Sequence, residues 1–165
     1  MKMMIDTTIY ASYVTPTRPL KDRSKTSQLI IHCTGTPEGH PCTVLNIDKY
    51  HKDHNNWACI GYHFVIYADG KVVRGRPEAA IGSHCKGQNA NSIGIAYVGG
   101  LTEDGKKTKD TRTEQQKVAL VWLCKYLMGK YDITPAHVHG HNEYTTSKAC
   151  PCFNVQELRA ELAKV

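Results

Sequence analysis

Apolar residues in this chain fall into short runs whose spacing switches between the strand period and the helix period. Gln28–His32 is a compact, β-branched run and reads as a strand buried on both faces. Thr34–Pro41, rich in Gly, Pro and Thr, reads as a loop. Thr43 is then placed to cap a helix over Val44–His51, with Val44, Ile47 and His51 at helical spacing. Tyr62–Tyr67 and Val72–Gly75 flank Ala68–Asp69–Gly70–Lys71, and the Asp-Gly pair supplies the backbone freedom of a tight hairpin turn. Ser92–Val98 is a second buried strand. Thr113–Gln116 starts the longest helix with a capping-box pattern, and its apolar face runs to about Tyr131. Ala136–His139 reads as a last short strand and Val155–Leu162 as a C-terminal helix.

Strands interleaved with helices predict an α/β fold, a single domain with a central mixed β-sheet flanked by helices. The length of 165 residues is enough for one sizeable core. Residues 1–27 carry Pro16, Pro19 and many polar groups and read as an irregular N-terminal arm, leaving 28–165 as the domain. No stretch approaches the ~20 apolar residues of a membrane helix, so no membrane insertion is expected. The apolar run at Met1–Ile5 is too short for a signal peptide, and Asp6 interrupts it, so the expected localisation is cytoplasmic as synthesised.

The formal charge of +6 favours an acidic partner such as nucleic acid or bacterial cell wall. The basic residues are scattered, and no zinc-finger spacing, aromatic RNA-binding motif or long basic helix accompanies them, so nucleic acid is not the expected partner. Seven cysteines, an odd number without a secretion signal, predict free thiols over a disulfide framework. Cys124 sits within an apolar helical pattern and reads as core. Cys33 and Cys85 each follow a histidine, and alternation along a strand places them behind that histidine.

Candidate chemistry gathers at His32, at the end of the first core strand, and at the segment from His139 to Cys152. Two imidazoles and a thiolate make a three-ligand zinc set with one position open for water, which is the arrangement of a hydrolase. Spacing alone leaves the set open. His139 and His141 alternate on one face of an extended segment, and Cys150 and Cys152 pose the same choice.

Larger motifs stand in order along the chain: Ile30–Thr36 (Ile-Ile-His-Cys-Thr-Gly-Thr), Ile60–Phe64 (Ile-Gly-Tyr-His-Phe), Gly75–Arg76, Ile81–Gly87 (Ile-Gly-Ser-His-Cys-Lys-Gly), Asn91–Ile95 (Asn-Ser-Ile-Gly-Ile), Gly140–Glu143 (Gly-His-Asn-Glu) and Lys148–Pro151 (Lys-Ala-Cys-Pro). From about residue 28 to residue 155 this resembles the zinc-dependent N-acetylmuramoyl-L-alanine amidases of the phage-lysozyme type, relatives of the peptidoglycan-recognition proteins. The resemblance implies that fold, with one catalytic Zn2+ held by His32, His141 and Cys150. It implies Tyr62 and Lys148 as catalytic residues and His84 as a substrate contact or proton shuttle. The implied reaction is hydrolysis of the amide between N-acetylmuramic acid and L-alanine of the stem peptide. Asn91 is expected to order the loop before its strand, Glu143 to orient local backbone, and His63 to face away from Tyr62. One departure is visible: Tyr144–Ser147 makes the segment before Lys148 longer than in the phage lysozymes.

The implied setting is an endolysin, held in the cytoplasm and acting on the cell wall after release, with peptidoglycan as partner and a monomer as the expected state. Non-catalytic recognition relatives usually lack the cysteine ligand, so Cys150 argues for the enzyme over a peptidoglycan-binding module. Two other partners stay open: an RNA polymerase, because a related phage lysozyme also inhibits its phage's polymerase, and an immunity protein, if the chain is a delivered antibacterial effector.

Overall fold

Residues 5–164 are described by the computed structural model; Met1–Met4 of the expected arm and Val165 of the expected domain lie outside the described residues. The arm is not wholly irregular, for it holds a two-residue strand, β1 (Ile9–Tyr10). Then follow β2 (Gln28–Cys33), β3 (Thr36–Pro37), α1 (Val44–Asn55), β4 (Phe64–Ile66), β5 (Val72–Arg74), β6 (Ser92–Tyr97) and β7 (Gly100–Leu101). The chain continues through α2 (Glu114–Tyr131), β8 (Val138–Gly140), α3 (His141–Tyr144) and α4 (Val155–Leu162). The main sheet runs β1-β5-β4-β6-β2-β8, and only the β4–β5 hairpin is antiparallel. β3 and β7 pair as a small second sheet.

Every residue of β2 is buried, as its unbroken apolar run predicts for a central parallel strand. Leu29, Ile31 and Cys33 pack with Leu120, Leu123, Leu127, Leu158 and Leu162 of α2 and α4. The strand period then turns Ile30 and His32 to the opposite face. On that side, Val44 and Ile47 of α1 pack against Val65 and Val73. The first core strand thus delivers His32 to the α1 side of the sheet and keeps the neighbouring thiol in the core.

Local chemistry fixes the helix starts. Thr43 and Asn46 form a reciprocal capping box on α1, and Thr113 and Gln116 form another on α2. Gln116 also donates through Nε2 to the carbonyls of Ile66 and Val98, tying α2 to the ends of β4 and β6. In the hairpin turn, Asp69 Oδ1 accepts from the Lys71 amide and Gly70 takes a φ of 90°.

Several elements depart from their expected limits: α1 runs on to Asn55, β4 is only Phe64–Ile66, the expected Thr34–Pro41 loop holds β3, and the last strand is shifted. Residues 135–137 form a 3₁₀ turn with Pro135 at its start, and the last strand is Val138–Gly140, in register with Leu29–Ile31. Proline suits the first turn of a helix and cannot donate to a ladder. The shift leaves His141 beyond the strand, as the first residue of α3. All seven cysteines are free thiols. Among the described residues no helix is long and apolar enough to cross a membrane.

Glu78 ties the β5 end of the sheet to the end of α2. It accepts from Arg74 Nη1 at 3.0 Å, Lys130 Nζ at 2.7 Å and the Tyr131 hydroxyl. Burial pushes its carboxyl up, but the hydrogen bonds from Lys130, Tyr131 and Arg74 outweigh that and hold it at about 2. A carboxylate depressed in the folded state stabilises fully above its unfolded value, and that contribution is lost as pH falls toward 2. Glu78→Gln is expected to cost roughly 2–3 kcal/mol at pH 7. In urea melts, the gap between parent and variant should shrink as pH drops below about 4.5; a gap independent of pH contradicts this account.

Candidate active site

Three chain segments meet where β2 ends. His32 comes from the strand and is 1% exposed. His141 starts α3, where Glu143 Oε2 accepts from the Gly140 amide at 2.6 Å and fixes the turn from β8 into the helix. Cys150 comes from the loop before α4. That loop is pinned from two sides, by the Asn142 amide donating to the Cys150 carbonyl at 2.8 Å and by the Tyr97 hydroxyl donating to the Pro151 carbonyl at 2.6 Å.

One ligand atom each from His32, His141 and Cys150 lie within 4.8 Å of one another. His32 Nδ1 is 3.8 Å from Cys150 Sγ, and the His32 and His141 rings are centred 4.7 Å apart. The Cys33 amide donates to Cys150 Sγ at 3.1 Å. Burial lowers the His32 pKa well below the ordinary histidine value, with the charge of His141 acting the same way. Burial and then the Lys148 charge lower that of His141. Both imidazoles are therefore neutral at neutral pH, with lone pairs to give. Two such nitrogens and one sulfur, close enough to share a single ion, fit zinc.

Tyr62 stands beside this group, its ring centred 5.2 Å from that of His32 and 5.6 Å from that of His51 on α1. Its phenol is pushed up by burial, first of all, and stays protonated. His51 Nδ1 accepts from the Gly61 amide at 3.0 Å, so α1 holds the backbone that presents Tyr62. Lys148 is exposed, and its amide donates to the Thr145 carbonyl at 3.0 Å, closing a turn.

His139 stays out of the group: its Nδ1 faces Glu143 at 3.4 Å, and Glu143 also pairs with Arg159 at 2.7 Å. The Cys152 thiol turns to Cys33 Sγ, at 3.8 Å, and to the Gly100 carbonyl. His63 faces away from Tyr62, with Nδ1 accepting from the Gly94 amide and Nε2 on the Ala80 carbonyl. His84 is buried behind His32, its Nδ1 2.9 Å from His32 Nε2. The loop holding it is ordered by Asn89, whose Oδ1 accepts from the His84 and Cys85 amides, while Asn91 binds Ser27 and Gln28. Sequence reasoning passed over Asn89, Ser92 and Gln88. The one available signal was an Asn five residues after the histidine.

Comparison with known proteins agrees with this geometry. Residues 22–153 match the family described as N-acetylmuramoyl-L-alanine amidase. The chain is 39% identical over 136 residues to the endolysin of Escherichia phage T7, covering 82% of this chain and 87% of that protein. Among solved structures it is similar to the endolysin amidase LysCS of Clostridium intestinale, with a TM-score of 0.81, 35% identity and coverage of 94% and 95%. Drosophila PGRP-LB superposes with a TM-score of 0.68 and 25% identity, covering 82% of this chain and 80% of that one. Fold and site together define the class, a cell-wall amidase on the fold it shares with the endolysin amidase LysCS and with Drosophila PGRP-LB. The chain belongs to the N-acetylmuramoyl-L-alanine amidase family and is a peptidoglycan hydrolase.

Proposed function

We propose that this amidase is a zinc enzyme in which His32, His141 and Cys150 hold the ion and Tyr62 and Lys148 act on the substrate. The observation that carries the reading is the convergence of the three ligand atoms from β2, α3 and the Cys150 loop beside Tyr62. An ion held by His32, His141 and Cys150 would supply Lewis-acid chemistry, the activation of water and of the scissile carbonyl. The Tyr62 phenol, protonated and half-buried, donates a hydrogen bond to the oxygen that gains charge as the amide carbon becomes tetrahedral. The Lys148 ammonium, on the loop beside His141, supplies positive charge to the same oxygen. The leaving group is the amine of L-alanine, and the proton it needs is the one that the attacking water gives up. Residues 1–27 serve as an arm on the 28–165 domain, with β1 extending the sheet edge. The setting that fits is release from the cytoplasm onto the wall.

Metal-free protein titrated with zinc should take up one equivalent and regain activity in proportion, and His32→Ala should take up none. A folded, active parent that binds no zinc overturns the proposal.

A further inference from the structure

We propose that His84 and Ser92 are positioning residues that lock His32 in the tautomer able to bind the metal, with the Gln88 carbonyl setting the direction of the proton chain. The inference rests on the zinc reading above and concerns how the protein prepares one ligand. A carbonyl oxygen can only accept. Ser92 Oγ lies 2.6 Å from the Gln88 carbonyl, so the single hydroxyl proton is used there. Ser92 Oγ then has only lone pairs to offer His84 Nε2, at 3.2 Å, and the proton of that contact belongs to the imidazole. A neutral imidazole protonated at Nε2 is bare at Nδ1. His84 Nδ1 therefore accepts from His32 Nε2, at 2.9 Å. His32 has spent its one ring proton, and its Nδ1, the atom that faces Cys150 Sγ, keeps its lone pair. Run in reverse, the chain puts a proton on His32 Nδ1 and blocks ligation.

The surroundings are built to hold His84 in this place. Asn89 Oδ1 accepts from the amides of His84 and Cys85, at 2.9 and 3.0 Å. The His84 ring lies against two glycines: a Cβ at Gly94 would sit 2.6 Å from His84 Cγ, and one at Gly82 would sit 2.6 Å from His84 Cδ2. Gln28 Nε2 donates to Gln88 Oε1 at 2.9 Å and steadies the terminal residue. Ser92 is fully buried and His84 is 8% exposed, so both rest on these partners and not on bulk water. Both nitrogens of His84 are engaged, which leaves none for a substrate or a leaving amine. One chain of protons thus accounts for Gly82, His84, Asn89, Ser92 and Gly94 together.

Long-range ¹H–¹⁵N spectra of the metal-free parent read the tautomer directly. The expected result is a protonated Nε2 and a bare Nδ1 on both His32 and His84; a proton on His32 Nδ1 overturns the inference. Zinc affinity by competition with a chromophoric chelator is the second readout. His84→Ala should weaken binding by roughly 10- to 100-fold, as loss of an outer partner of a ligating histidine does. Ser92→Ala should admit the wrong tautomer and weaken binding less. Ser92→Thr, which keeps the hydroxyl, should restore it, and His84→Asn should restore part through its carboxamide oxygen. Alanine variants that bind zinc as tightly as the parent also overturn the inference. If His84→Ala does not fold, Ser92→Ala and the parent spectrum decide. If the parent takes up no zinc, the zinc reading fails, and the spectrum still reports the tautomer.

Discussion

Replacing Cys150 by serine is expected to strip the bound metal and lower amidase turnover by at least about a thousandfold, the equivalent of roughly 4 kcal/mol of Lewis-acid stabilisation. The thiol is the one soft donor of the group, and the Cys33 amide already points at its sulfur. A serine hydroxyl in its place stays protonated at neutral pH and is a poor partner for zinc. Two imidazoles are then left without the third donor of the group. The fold should survive, because Cys150 is only partly buried and the loop keeps its bonds to Asn142 and Tyr97. Metal content by mass spectrometry, turnover of purified sacculi and a thermal melt check the three parts of this expectation. A variant that holds a full equivalent of zinc and turns over within tenfold of the parent contradicts it.

Tyr62→Phe is expected to lower kcat by about 10²- to 10³-fold, the usual loss for one donor at a developing oxyanion, with little change in KM. The change deletes a single oxygen and leaves the ring against His32 and His51. Half-burial of Tyr62 makes its hydrogen bond count for more than one made in water. Lys148→Ala should cost less, because the lysine is exposed and solvent and salt screen its charge. Its loss should be partly relieved in Lys148→Arg and should shrink as ionic strength rises. Steady-state kinetics on soluble muropeptides separate the two. A Tyr62→Phe variant that raises KM alone assigns the phenol to substrate binding and contradicts its role at the oxyanion.

Much of this site could be read before any coordinates. The unbroken run into His32 required a strand buried on both faces, and strand alternation put Cys33 behind it, where it packs with α2 and α4. Thr43 and Thr113 marked their helices because capping boxes are local chemistry, and α4 kept its expected limits of Val155–Leu162. β1 carries no periodic signal in two residues; its order comes from pairing with β5, a tertiary effect. The choice between His139 and His141 was unreadable from spacing for a related reason. An extended segment would set both rings on one face, but the chain turns into α3 at His141, and only that ring joins the group. Cys152 takes a φ of 69°, and its thiol meets Cys33 Sγ and the Gly100 carbonyl. The partners of His84 were hidden because its loop folds back onto Gln88 and the first residue of β6, a contact that no helix or strand period reports.

The most direct test of the account is digestion of purified peptidoglycan sacculi by the parent, by the chelated protein and by the same protein with zinc restored, with soluble products identified by mass spectrometry. The account predicts stem peptides with a free L-alanine amino terminus, absent after chelation and regained with zinc. Release of those peptides by fully metal-free protein contradicts the zinc chemistry of His32, His141 and Cys150, and products cut at any other bond contradict the amidase itself.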